Sequence, residues 1–222
     1  MINIDDREAS RDFWIFGFGS LVWRPELAFQ ERIDAYVCGW QRRFWQRSSD
    51  HRGTETFPGR VVTLVPATSG TARCYGRAYR IAGEQLASAL TYLDEREKQG
   101  YSRLHLPIYD AHSDQLVTNQ ALVYIAREDN EHFVHAPEER SIPVLCRVIA
   151  SARGPSGDNA TYLFRLHEAL SEMGVHDEHI DALVTGVRAE LASTANTCNE
   201  HELLRATSAA DRIAALAGDP NR

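Results

Sequence analysis

Apolar positions along the first half of the chain alternate with a period of two. In the second half they recur at helical spacing. Residues 13–22 (FWIFGFGSLV) predict an aromatic β-strand running into a glycine-punctuated loop. A further strand is expected around 34–46, followed by the polar loop Ser48-Ser49-Asp50-His51-Arg52-Gly53, and others at 60–65 and 74–81, rich in β-branched and aromatic residues. From Glu84 to Lys98 the period turns helical, with Gly100 placed as its C-cap. Strands resume at 103–109 and 115–126. Beyond Arg140 three helices are expected near 141–152, 159–173 and 177–193.

Strands first with one helix embedded, then helices, is an α+β order without the repeated βαβ rhythm of a doubly wound sheet. The chain reads as one domain, 1–222, with its core at about 13–193. The first dozen residues and the tail after about 195 are expected to be peripheral, although Leu203, Leu204, Ile213 and Leu216 suit a short amphipathic helix.

Composition narrows the class. At 43% hydrophobic and 25% charged residues the chain is a globular protein, not a disordered one. A formal charge of −7 argues against nucleic acid or an anionic membrane as its partner, because phosphate surfaces require a cationic face. There is no apolar run of transmembrane length and no cationic-then-apolar start at Met1, so a cytoplasmic protein is expected. The cysteines Cys38, Cys74, Cys146 and Cys198 form no C-x-x-C pair and read as reduced thiols.

Four features are candidates for chemistry. On the 84–98 helix, Leu86, Leu90 and Leu93 fall within about 60° of one another, and Glu97 lies about 20° from Leu86, on that core-facing stripe. A carboxylate there must be paired, protonated or used, and the helix's negative end raises its pKa, as suits a general base. The same position also suits a last-turn glutamate that reaches past the core into water. Glu95 falls on the opposite side of the helix.

The second candidate is Gly17-Phe18-Gly19-Ser20-Leu21, whose two glycines allow a sharp turn and close approach of backbone N–H groups to a ligand. It is neither G-x-G-x-x-G, since Val22 stands at the third glycine, nor G-x-S-x-G. A plain strand-end turn fits equally. Third, residues 39–60 carry five arginines (Arg42, Arg43, Arg47, Arg52, Arg60) against Asp50 and Glu55. Such a segment could hold a small-molecule carboxylate or form a solvated strand edge. Fourth, His132-x-x-His135 and His176-x-x-His179 have metal-ligand spacing but no evident third ligand, so no metal is expected. Ser20, His51 and Asp50 supply the residue types of a nucleophilic triad, whose geometry spacing alone cannot establish.

The blocks taken in order resemble one family. They are Phe16-Gly17-Phe18-Gly19-Ser20-Leu21-Val22-Trp23, Arg42-Arg43-Phe44-Trp45-Gln46, Asp50-His51-Arg52-Gly53, and Pro58-Gly59-Arg60-Val61-Val62-Thr63-Leu64. Two more are Tyr92-Leu93-Asp94-x-Arg96-Glu97-Lys98-x-Gly100-Tyr101 and Gly154-Pro155-Ser156-Gly157-x-Asn159-x-x-Tyr162-Leu163. Over about 13–190 the chain is similar to the ChaC-type, glutathione-specific γ-glutamylcyclotransferases. The resemblance implies a γ-glutamylcyclotransferase-like fold, a small mixed β-barrel with surrounding helices and a helical C-terminal half. It implies cleavage of reduced glutathione to 5-oxoproline and Cys-Gly without a cofactor. It also implies that Glu97 is the catalytic acid/base and that Gly17, Phe18, Gly19, Ser20, Leu21 and Val22 bind the γ-glutamyl part, with Tyr162 as a further substrate contact. Phe18 departs from the family's usual tyrosine and removes a hydroxyl from the pocket. A cyclotransferase for other γ-glutamyl amines or amino acids, and a non-catalytic γ-glutamyl-binding or regulatory module, are the alternatives.

Overall fold

The computed structural model describes residues 13–96 and 100–196. Strand β1 (Phe13–Gly17) is followed by a 3-10 turn at Ser20–Val22. Next come β2 (Glu31–Cys38), β3 (Trp40–Ser48), β4 (Gly59–Pro66) and β5 (Arg73–Ile81). After helix α1 (Leu86–Arg96) come β6 (Ser102–Asp110), β7 (Leu116–Ile125) and α2 (Ile142–Ser151). A two-residue hairpin, β8 (Arg153–Gly154) with β9 (Gly157–Asp158), leads into α3 (Asn159–Glu172) and then α4 (178–196). The α+β order is as expected.

Five strands close into a barrel in the order β1-β5-β2-β6-β7. All junctions are antiparallel except the one that seals it, where β1 runs parallel to β7 with Ile15 opposite Leu122. Closure removes the exposed sheet edges that an open five-stranded sheet would leave. Strands β3 and β4 form a separate antiparallel pair with a register shift between Arg43 and Gln46.

The single strand expected at 34–46 is therefore corrected to two strands in two different sheets. The chain turns at Gly39, whose φ of 78° is left-handed. Its N–H donates to the Ala72 carbonyl (2.8 Å) and its own carbonyl accepts the Ala67 N–H (2.9 Å). A continuous run of strand-forming residues does not reveal a change of sheet when one glycine makes the turn.

Helix α1 buries Leu86, Ala89 and Leu93 with Leu90 partly covered, the stripe that its spacing predicts. It packs over Ile15, Leu21, Tyr79, Ile81, Leu122 and Tyr124. Alternate residues of the same strands, among them Phe16, Ala78, Ala121, Val123 and Ile125, join the larger core that α2, α3 and α4 cover. Glu97 lies outside the described residues, as do the tail helix expected around 203–216 and the first dozen residues. Gly100 has the left-handed φ of 73° that a C-cap glycine uses.

Two polar clamps hold the layers together. Asn159, fully buried at the start of α3, accepts the Arg60 N–H (2.6 Å) and donates to the Arg60 carbonyl (2.7 Å), fastening α3 to β4. Arg42, 1% exposed on β3, donates to the Phe18 carbonyl (2.8 Å), the Tyr75 carbonyl and Asp177 (2.9 Å). Asp177 in turn accepts the N–H groups of His179 (3.2 Å) and Ile180 (3.3 Å), which caps α4.

Candidate active site

The glycine loop leaves the end of β1 and is held from the protein side by its carbonyls. Arg42 binds the Phe18 carbonyl, the buried Tyr79 hydroxyl donates to the Leu21 carbonyl (2.6 Å), and Arg77 donates to the Val22 carbonyl (2.7 Å). Burial pushes the Tyr79 phenol up to about 12, so it remains a donor throughout the neutral range. The N–H groups of Val22, Trp23 and Arg24 close the turn onto the Gly19 and Ser20 carbonyls. Among the described residues no acceptor meets the N–H groups of Gly19, Ser20 or Leu21. The trans peptide joining Phe18 and Gly19 turns the Gly19 N–H away from Arg42.

Gly17, Phe18, Gly19, Ser20 and Leu21 line a cavity of about 50 Å³ together with Tyr101, Tyr124 and Tyr162. The close approach explains both glycines. A Cβ at Gly17 would stand 2.5 Å from the Leu21 Cβ, and one at Gly19 would stand 3.0 Å from both the Tyr162 hydroxyl and Val62. Tyr162, 6% exposed, is wedged edge-on against Trp23 and Phe44. The structure thus brings Tyr162 to the loop, about 140 residues away in sequence. Val22 is fully buried in the core and lines neither this cavity nor the cleft beside it.

That cleft, of about 390 Å³, shares Ser20, Tyr101 and Tyr162 with the small cavity. Its wall adds Trp23, Arg24, Glu26, Asp50, His51, Arg52, Tyr92, Glu95, Arg96 and Ser156. Arg96, in the last described turn of α1, donates to the Ser20 hydroxyl (2.5 Å), the Arg24 carbonyl (3.0 Å) and the Tyr92 hydroxyl (2.7 Å). It thereby ties the residue before Glu97 to the glycine loop. Glu26 has a left-handed φ of 43° and takes hydrogen bonds from Arg24 (2.5 Å) and Tyr92 (3.1 Å). Arg24 foremost holds its carboxyl below the usual range. Nothing in the spacing of Arg24 and Glu26 announced this role.

The other sequence candidates separate clearly. Of the five arginines at 42–60, Arg42 is committed to the core, and Arg43 donates to its neighbours Gln41 and the Arg42 carbonyl. Arg47 and Arg60 both bind Glu139, at 3.0 and 2.9 Å. Arg52 is the member of the set that reaches the cleft, stacked over the Tyr162 ring at 5.4 Å. Ser20, His51 and Asp50 share the cleft without forming a relay. His51 Nδ1 lies 3.2 Å from Ser156 Oγ and Nε2 lies 3.6 Å from Asp50, while the Ser20 hydroxyl is held by Arg96. His176 is almost wholly exposed, whereas His179 accepts the Phe44 N–H at 3.2 Å. Glu95 is exposed, as its helical position requires, but it stands in the cleft wall.

With this geometry in view, the comparison with known proteins is decisive. The family model for ChaC-like proteins matches residues 13–190. The chain belongs to the ChaC-like family. A rat protein named glutathione-specific γ-glutamylcyclotransferase 1 is 41% identical to this ChaC-like chain over 180 residues, 78% of each. The Arabidopsis thaliana γ-glutamylcyclotransferase 2-3 is 38% identical, covering 82% of this chain and 91% of its own. A crystal structure of a yeast γ-glutamyl cyclotransferase specific to glutathione superposes with a TM-score of 0.74 at 30% identity, covering 80% of this chain and 96% of that one. The barrel with its packed helices is therefore a fold that this ChaC-like chain shares with the yeast enzyme. Among the described residues no helix is long and apolar enough to cross a membrane.

Proposed function

We propose that this ChaC-like protein cleaves reduced glutathione to 5-oxoproline and Cys-Gly. The observation that carries the proposal is the convergence of the glycine loop, Tyr162 and the Arg96 end of α1 on one cleft. The resemblance assigns substrate to that loop and acid/base chemistry to the residue after Arg96.

In the reaction the glutamyl α-amine attacks its own δ-carbonyl. A C–N bond closes the five-membered ring, and the C–N bond to cysteine breaks. Nucleophile and electrophile are tethered, so the protein's principal task is to fold the glutamyl chain into reactive geometry. Glu97 takes the proton that the ammonium must lose and returns one to the departing amine. The neighbours on either side support that role, because Arg96 and Tyr101 both line the cleft. The unpartnered N–H groups of Gly19, Ser20 and Leu21 stabilise the developing oxyanion, each good donor contributing about 3 kcal/mol. A fixed loop is required for this, and three side chains hold its carbonyls. The proposal places the protein in the cytoplasm, where its substrate is reduced.

The test is release of 5-oxoproline, read by mass spectrometry, from reduced glutathione, oxidised glutathione, γ-glutamyl dipeptides and γ-glutamyl amines at matched concentrations. Preferential turnover of reduced glutathione is expected. Preference for an amine or dipeptide would transfer the same chemistry to another leaving group. No 5-oxoproline from any of them would leave a binding module.

A further inference from the structure

Among the described residues the cleft contains several cations, and all but one are already spoken for. Arg24 is paired with Glu26 at 2.5 Å, and Arg96 lies 3.9 Å from the same carboxylate while bonding Ser20 and Tyr92. Arg42, Arg43, Arg47 and Arg60 face structural acceptors elsewhere. Arg52 differs. Its guanidinium rests on the Tyr162 ring and donates to the Asp158 carbonyl at a long 3.3 Å. Among the described residues no carboxylate lies within salt-bridge distance of it, and the Asp158 carboxylate is taken by Arg153 at 2.8 Å. A half-buried guanidinium without a counter-ion is energetically exposed, and desolvation foremost pulls its pKa down, with Arg24 and Arg96 adding to the effect. Such a fork matches a carboxylate in two-point geometry.

Position along the cleft decides which carboxylate. Arg52 lines the open cleft but not the small cavity of the glycine loop, the two spaces meeting at Ser20, Tyr101 and Tyr162. If the glutamyl end cyclises against the loop, the leaving dipeptide extends past Tyr162 into the space that Arg52 faces. We infer that Arg52 binds the glycyl carboxylate of glutathione and so sets the preference for a leaving group ending in a carboxylate. This rests on the cyclotransferase reading above.

The experiment compares reduced glutathione with glutathione carrying a C-terminal amide in place of the glycyl carboxylate, using 5-oxoproline release by the intact protein and by Arg52→Met. The wild type should prefer the free acid by roughly 10- to 100-fold in kcat/KM, the worth of one charge-assisted pair. Arg52→Met should lose that factor on the acid, mostly through KM, and leave the amide unchanged. Equal losses on both substrates, or none on either, would overturn the assignment, the first pointing to the glutamyl carboxylate that both substrates share. If Arg52→Met fails to fold, Arg52→Lys decides. A several-fold narrower acid-to-amide ratio supports the pairing, and an unchanged ratio refutes it. A wild type that turns over acid and amide equally refutes the role of Arg52 alone, whereas one that releases 5-oxoproline from neither refutes the cyclotransferase reading and this inference with it.

Discussion

Arg42→Met tests whether a buried guanidinium organises the glycine loop. Methionine preserves the volume of the stem and removes all of the donors. Three acceptors lose their partner: the Phe18 carbonyl, the Tyr75 carbonyl and the Asp177 carboxylate. Removing one member of a buried ion pair costs about 3–5 kcal/mol, chiefly because the remaining charge is stranded. Asp177 is 18% exposed and keeps its cap bonds to His179 and Ile180, which moves the expected loss to the lower end, about 3 kcal/mol. For a chain of this length that is a fall in Tm of roughly 6–12 °C. Urea denaturation and thermal melts should be run beside Arg43→Met, whose donors serve only adjacent residues and whose loss should stay under about 1 kcal/mol. Below the melting range Arg42→Met should also lower kcat/KM for glutathione, since among the described residues no other donor holds the Phe18 carbonyl. A loss below about 1 kcal/mol, or equal losses for the two variants, would refute the reasoning.

Glu97→Gln should abolish 5-oxoproline release while the thermal melt stays within a degree or two of the parent; Glu84→Gln, before α1, is the control, because Glu95 stands in the cleft wall. Phe18→Tyr should lower KM for glutathione several-fold with little change in kcat, the new hydroxyl entering the small cavity beside Tyr162; a fall in kcat/KM would mean that it is buried unpaired. His179 is held neutral by burial, foremost, and by Arg43, with its pKa pulled down to about 4, and its Nε2 accepts the Phe44 N–H. Its folded pKa is depressed, so its contribution is complete above pH 6.5 and is lost as the pH falls from 6.5 towards 4, by up to about 3 kcal/mol. His179→Gln should flatten that part of the stability–pH curve relative to the parent, measured by urea denaturation at each pH.

The alternation of apolar residues determined most of the strands, and the 3.6-residue period determined α1 with its stripe of Leu86, Leu90 and Leu93, as well as the helical second half. Those patterns are local, and they survive because each element buries the face its own sequence marks. The glycine loop was equally legible, since two glycines at a strand end report a backbone that must approach something closely. Sequence could not say that Gly39 moves the chain from one sheet to another, because partner strands are chosen by long-range packing. Nor could it distinguish Arg42 from Arg52. Both are arginines in one basic stretch, yet β3 turns Arg42 into the core with Phe44, Gln46 and Ser48, while the loop after it leaves Arg52 on the cleft. The same limit hid Glu26 and Tyr92, which become part of a site only when α1 docks against the turn after β1. An arginine's role depends on which acceptors the fold brings within about 3 Å, and that distance is a property of the tertiary structure alone.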